Sequence, residues 1–222
     1  MRVSDITVVV PAHNEADEIG ACLASLAAAA GAVQLPVEVI VVLDACTDET
    51  ACVVSGLART VSIEVRNVGA ARAAGFRYAR RSAGTWYATT DADSRVPADW
   101  LIAQVESAVL HEVFVGTVQV HDWSMRRPGV EPEYERRYVR SAGHRHVHGT
   151  SVGLSAQTYW AVGGFAPLPA HEDVALVEAC HRAGAAVDWS GQAPVVTSAR
   201  HSERTPHGFG AYLTDLEGTL PA

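Results

Sequence analysis

The sequence predicts an α/β fold with a mostly parallel central sheet and flanking helices. Short runs of β-branched and apolar residues recur at 6–10, 37–43, 61–65 and 85–90. Between them lie segments whose apolar residues repeat at helical spacing. Continuous apolar runs suit strands buried on both faces, and strand–helix alternation implies parallel pairing with right-handed crossovers. The chain has 222 residues and is 48 % hydrophobic, which suits one compact domain with a sizeable core.

The elements follow in order. Residues 6–10 read as the first buried strand, stopped by Pro11. Asn14 is placed to cap a helix carrying Ile19, Cys22, Leu23 and Leu26, and Gly31 is placed to end it. Residues 37–43 form the second strand. A second helix spans 47–57, with Asp48 and Glu49 near its positive end. A third strand at 61–65, an Ala- and Arg-rich helix at 70–81 and a fourth strand at 85–90 follow. Pro97 then starts a helix through Trp100, Leu101 and Val105.

The second half is less regular. Residues 113–120 alternate like a sheet-edge strand, 125–132 read as a loop and 133–141 as a short charged helix. Strand character resumes at 147–154. A helix at 174–184 is opened by His171, Glu172 and Asp173, and a last short strand lies at 195–198.

A formal net charge of −8 argues against a nucleic-acid binder, which needs a basic face. The four cysteines form no CxxC pair and read as thiols in a reducing compartment. No basic leader with a long apolar stretch opens the chain, and the longest small-apolar run, 27–30, is far too short to span a bilayer. A cytoplasmic protein without an integral membrane segment is the default expectation.

Ligands in parallel α/β sheets sit beyond the carboxyl ends of the strands. The conspicuous polar residues fall there: Pro11-Ala12-His13-Asn14-Glu15 after the first strand, Asp44 after the second, Asp91-Ala92-Asp93 after the fourth. Two carboxylates at i, i+2 on a strand end point to one side and can share a hard divalent ion, which can neutralise a diphosphate. Taken alone, such a pair also describes a solvated turn.

These segments, with 43–50 (LDACTDET), 69–75 (GAARAAG), Gly163-Gly164-Phe165 and His171-Glu172-Asp173, resemble in order and spacing the family-2 glycosyltransferases of the GT-A fold. The resemblance covers roughly residues 5 to 200. It implies a single Rossmann-like GT-A domain over 1–222, with a nucleotide-binding half to about residue 110 and an acceptor-binding half from about 111. It implies a nucleotide-diphospho-sugar donor, Mn²⁺ or Mg²⁺, and a small-molecule or lipid-linked acceptor.

By that resemblance Pro11, Ala12, Glu15 and Asp44 line the nucleoside pocket, with Asp44 near base or ribose, and Arg72 reaches the nucleotide. Asp91 helps hold ribose or metal and Asp93 is the principal metal ligand. Asp173, beside Glu172, is the general base of an inverting member, a role suited to a carboxylate whose pKa is raised by burial and by its neighbour. His201, with His207 in reserve, completes the metal site. Leu43, Ala73 and Ala45-Cys46 depart from the common pattern around the nucleoside pocket and leave the base open, uridine or guanosine.

Simpler readings stand beside these. Asp44 also reads as a helix cap, Arg72 as a surface charge, and Glu172-Asp173 as favourable charge at a helix start. Trp86, Trp100 and Trp160 read as core. Trp123 and Trp189 do too, although either can stack on a sugar. His144, His146 and His148 share one face if they lie in a strand, and substrate contact is favoured there over zinc. Arg126-Arg127 and Arg136-Arg137 read as solvated charge, with an acidic acceptor as the alternative. A nucleotidyltransferase needs a Gly-rich basic loop after the first strand, which 11–15 lacks, and no GxGxxG supports a dehydrogenase. A non-catalytic sugar-nucleotide-binding module remains the competing function.

Overall fold

The computed structural model describes residues 1–79, 81–200 and 208–220. Strand β1 (Asp5–Ala12), helix α1 (Ile19–Ala32), β2 (Val37–Asp44), α2 (Thr50–Val54), β3 (Arg59–Ile63), α3 (Val68–Tyr78), β4 (Thr85–Thr89) and α4 (Trp100–Ser107) form the regular first half. Then come β5 (Val113–Val115), β6 (Val118–Gln119), α5 (Val130–Arg137), β7 (Val152–Ser155), α6 (Ala156–Ala161), α7 (Glu172–Arg182), β8 (Val187–Trp189), β9 (Val195–Val196) and α8 (Phe209–Gly218).

A seven-stranded sheet runs in the order β3-β2-β1-β4-β7-β5-β8, and β6 pairs with β9 in a separate ribbon. Strands β1 to β4 are parallel, whereas β7 lies antiparallel to both β4 and β5. The sheet is thus mostly parallel, with one reversed strand. The 113–120 segment departs from its expectation: Gly116 and Thr117 split it into two strands, and β5 lies inside the sheet between β7 and β8.

Side-chain alternation assigns each strand to two cores. Val8, Val10, Val41, Leu43, Trp86 and Ala88 face one core, with Leu23 and Leu26 of α1 and Trp100 and Leu101 of α4. Val9, Ile40, Val42 and Tyr87 face the other, with Phe76 of α3, Tyr159 of α6 and Leu176 of α7. Both faces are covered, so the central residues of β1, β2 and β4 are mostly apolar. Helix α3 lies so close to the sheet that a Cβ on Gly75 would stand 2.5 Å from Val9 Cγ1. A third cluster joins β6, α5 and α8 through Val118, Val130, Tyr134, Leu213 and Leu216.

Several boundaries move for local reasons. Asn14 does not cap α1: it sits at φ +53° and its Oδ1 accepts the Thr47 N–H at 2.8 Å, while the helix begins at Ile19 and runs through Gly31. The second helix shrinks because the Asp48 carboxylate folds back onto the N–H groups of Thr50 (3.0 Å) and Ala16 (3.1 Å). Strand β3 ends at Ile63 because Asp44 takes the Val65 N–H. Helix α3 starts earlier than expected, capped by Asn67, whose Oδ1 accepts the Ala70 N–H at 2.8 Å. Pro97 forms a turn, its carbonyl accepting the Trp100 N–H, before α4 begins. Helix α5 begins at Val130, behind Gly129 in the left-handed region, and tolerates Pro132 in its first turn. The 147–154 strand is reduced to β7 by a 3₁₀ turn at Gly149–Ser151. The last strand closes to Val195–Val196, and α7 opens two residues earlier, at Glu172. Trp86 and Trp100 are fully buried, as expected of core residues.

Candidate active site

The carboxyl ends of β1, β2 and β4 open onto one cleft of about 610 Å³. Pro11, Ala12, Glu15, Asp44, Arg72, Asp91, Asp93, Glu172 and Asp173 all line it. The structure therefore brings together every described residue assigned to the nucleotide, metal and base roles. His201 and His207 lie outside the described residues.

Asp44 is a buried organiser. Its Oδ1 accepts the N–H groups of Val65 (2.7 Å) and Arg66 (2.8 Å), and its Oδ2 that of Asn67 (2.8 Å). The carboxylate thus caps the loop into α3 rather than the short α2, and fixes one wall of the cleft. Its backbone carbonyl lies 2.6 Å from His13 Nδ1, tying the ends of β1 and β2 together.

Arg72 is no surface charge. Its residue is 2 % exposed. Nη2 donates to Asp91 Oδ1 at 2.6 Å, Nη1 donates to Glu172 Oε1, and Nε donates to Thr89 Oγ1 at 3.2 Å. The guanidinium lies over the Phe165 ring and against Gly149, where any Cβ would stand 2.4 Å from Nη2. The cation therefore straps the first carboxylate of the Asp91/Asp93 pair to the first residue of α7. Expected to reach a nucleotide, it bonds to protein partners, although it also lines the cleft. Burial pushes the Glu172 carboxyl up and the Arg72 charge pulls it down, with burial prevailing. Asp173 is half-buried, its Oδ1 accepting its neighbour Val174's N–H at 2.8 Å. The preceding His171 sits at φ +60°, turning the chain into the helix.

Across the cleft, Arg200 Nη2 reaches Asp93 Oδ2 at 3.0 Å, and the same guanidinium holds Glu15 with a second bond from Nη1 to Oε2 at 2.9 Å. Sequence reasoning missed Arg200, whose partner Glu15 lies 185 residues away. Burial raises the Asp93 carboxyl to about 6, against the lowering effect of Arg200 and with added push from Asp91 and Glu15. The site thus holds a carboxylate that is costly to ionise without a cation beside it. Among the described residues, no three His, Cys, Asp or Glu side chains group closely enough to hold a metal ion alone. Hard oxygen donors on Asp93 and Asp91 fit Mn²⁺ or Mg²⁺ only if further ligands complete the set.

The far wall has a different character. Tyr138, His146, His148, Phe209 and Tyr212 line it. The three histidines lie in irregular backbone, not in a strand, yet their rings stack as a column, 5.9 Å from His144 to His146 and 6.2 Å onward to His148. Arg126, read as solvated, is instead a buried clamp, donating to the carbonyls of Ala199 (2.6 Å), Arg200 (3.1 Å) and Gly210 (3.1 Å) and to Thr214 Oγ1 (2.9 Å). Arg136 and Arg137 are exposed and share Glu133, as expected of surface charge.

This arrangement, a parallel α/β half with carboxylates at its strand ends and an opposing ring-lined wall, is that of a GT-A glycosyltransferase. Residues 7–161 match the model of glycosyl transferase family 2, and the chain belongs to that family. The succinoglycan biosynthesis protein ExoO of Rhizobium meliloti (strain 1021) is 37 % identical over 112 residues, which is 48 % of this chain and 30 % of that protein. Among solved structures, S. aureus TarS in complex with UDP-GlcNAc aligns with a TM-score of 0.67 at 16 % identity, over 92 % of this chain and 61 % of that one. The mannosyltransferase PcManGT from Pyrobaculum calidifontis, in complex with GDP-Man and Mn²⁺, aligns with a TM-score of 0.64 at 20 % identity, over 93 % and 59 %. These likenesses establish the GT-A fold. The chain spans under a third of the curated relative and about three fifths of the solved ones. No helix among the described residues is long and apolar enough to cross a membrane.

Proposed function

We propose that this chain transfers a sugar from a nucleotide-diphospho-sugar to an acceptor hydroxyl, with a divalent cation at Asp93 and Asp91. The observation that carries this reading is the convergence of Glu15, Asp44, Asp91, Asp93, Glu172 and Asp173 on one cleft at the strand ends. The nucleoside enters beside Pro11, Ala12 and Asp44, and the diphosphate lies toward Asp93. A bound Mn²⁺ or Mg²⁺ supplies charge neutralisation for the leaving diphosphate. Donor complexes of the fold neighbours TarS and PcManGT, the latter with Mn²⁺, support this donor class and cation.

The remaining steps belong to the chain's own residues. Asp93, which burial raises to about 6 despite its contact with Arg200, gains most from a cation and is the main ligand, while Asp91 is tied to Arg72. His201 remains the proposed third protein ligand, with His207 in reserve. Arg72 and Glu172 hold the start of α7, and with it Asp173, against the Asp91 end of β4. Asp173 then accepts the proton of the acceptor hydroxyl in an inverting transfer. The part of the chain to about residue 110 binds the donor and the remainder binds the acceptor. A thermal-shift series with UDP-, GDP- and dTDP-sugars, with and without Mn²⁺, tests the reading, since a ligand bound only by the native state raises its stability. One nucleotide class should raise Tm only when metal is present; no shift with any of them rejects the proposal.

A further inference from the structure

We propose that His148 is a fixed hydrogen-bond donor for the acceptor, and that the wall around it takes an uncharged sugar ring. The inference rests on the transfer reading above and adds the chemical class of the acceptor. Tyr138 is buried, and its hydroxyl oxygen accepts the Val118 N–H at 3.1 Å. Among the described residues, the acceptor in hydrogen-bond geometry for the phenolic hydrogen is His148 Nε2, at 2.9 Å; the neighbouring Tyr134 Oη makes no bond of that geometry. A neutral imidazole carries one donor and one acceptor nitrogen, so acceptance at Nε2 places the hydrogen on Nδ1. Burial, reinforced by His146 and His144, pushes the His148 imidazole down to about 3, so the ring is neutral near pH 7.

That Nδ1–H has no partner among the described residues. It is not one of the enclosed orphan atoms either, which are Gln104 Nε2, Thr117 Oγ1, Tyr134 Oη and His144 Nδ1. His148 lines the same cleft as Asp173. A donor of fixed tautomer therefore borders the cleft that contains the proposed base.

Its surroundings select the ligand. Tyr138 stacks on His146 at 4.3 Å with 17° between planes, and Phe209 meets the His148 ring edge-on at 5.6 Å. Tyr138, His146, His148, Phe209 and Tyr212 make a wall with no carboxylate and no guanidinium. A pyranose has apolar C–H faces that pack on rings and oxygens that accept hydrogen bonds, which matches this mixture of surfaces. An anionic acceptor would need cations on this wall. Arg140, over the Tyr138 ring, pairs with Glu135, Arg126 is buried in its clamp, and Arg136 and Arg137 pair with Glu133 outside the cleft. The arginines that line the cleft, Arg66, Arg72 and Arg200, belong with Asp44, Asp91 and Asp93 on the charged wall.

Long-range ¹H–¹⁵N NMR of the ¹⁵N-labelled protein at pH 7.5 reads the tautomer directly. The expected result is a neutral His148 protonated on Nδ1, with that preference lost in Tyr138→Phe; an Nε2–H tautomer or an imidazolium overturns the assignment. Methyl glucoside, methyl galactoside, methyl mannoside and their N-acetylglucosamine counterpart are then titrated beside glucose 1-phosphate and glucuronate. At least one neutral glycoside should shift the His148 Nδ1 resonance. His148→Ala should weaken it about tenfold, as expected for one lost hydrogen bond, while His148→Asn, which restores an N–H near the Nδ1 position, should hold it within about threefold. Anionic sugars binding more tightly, equal losses in Asn and Ala variants, or no glycoside binding reject the proposal. Nucleotide affinity, measured separately by calorimetry, should be the same in wild type and all three variants. Its absence in wild type would instead count against the transfer reading.

Discussion

The two walls of the cleft are built on different principles. On the wall formed by the ends of β1, β2 and β4, charged groups come with partners: Asp44 with three backbone N–H groups, Arg72 with Asp91 and Glu172, Arg200 with Glu15 and Asp93. The opposite wall, from Tyr138 through His148 to Phe209 and Tyr212, holds stacked rings on irregular backbone. The contrast suggests a division of labour. Preorganised charge suits an anionic diphosphate and its cation, because it costs no reorganisation when the ligand arrives. A ring-lined wall suits a neutral, hydroxylated partner. Asp173 lines the cleft between them.

The largest effect should come from that carboxylate. Asp173→Asn removes the proton acceptor and should lower the turnover number by roughly 10²–10⁴-fold in steady-state assays, leaving nucleotide affinity unchanged. Glu172→Gln should lower it less, acting through the position of α7. Near-normal turnover in a folded Asp173→Asn variant would point to a retaining mechanism or another carboxylate.

Next in size is the strap from the end of β4 to the start of α7. Arg72→Ala leaves Glu172 buried without its cation, and removing one partner of a buried ion pair typically costs about 3–5 kcal/mol. Urea denaturation should show that loss, and a neutral result would mean that Arg72 contributes little to stability.

This strap marks how far the sequence could be read. The three strand ends were legible because each strand is a continuous apolar run that breaks into polar residues at a fixed place. Arg72 was placed at the site by resemblance, but its part as a buried strap was not legible, because it depends on partners 19 and 100 residues away. Gly149, whose missing side chain makes room for that guanidinium, carried a weak signal of it. Arg200 gave none, since its partner Glu15 is distant in the chain. Elements β8, α6 and α8 were missed because they are short or lack a strong period, and the reversal of β7 is a matter of tertiary pairing that a strand's composition does not record.

A smaller effect separates function from stability on the charged wall. Asp93 has a pKa raised from its ordinary 3.8 to about 6. The folded state therefore binds more protons than the unfolded state between those values, so stability falls as pH rises through that window and the cost is complete above it. Asp93→Asn should raise the Tm of the metal-free protein above about pH 6 and change it little below about pH 4. A lowered Tm at pH 7.5 would contradict a carboxylate strained by burial. Smallest is the cap of α3: Asn67→Ala should cost about 1 kcal/mol by denaturation, with catalysis in the folded fraction retained.

The most direct test of the metal-dependent donor site is calorimetric titration of the nucleoside diphosphate selected by the thermal-shift series. It should be run with Mn²⁺ and with EDTA, on wild type, Asp93→Ala and Asp91→Ala. Binding should require the cation, and Asp93→Ala should weaken it more than Asp91→Ala, because burial leaves Asp93 costly to ionise even beside Arg200. Equal affinity in EDTA, or a greater loss in Asp91→Ala, would contradict the account.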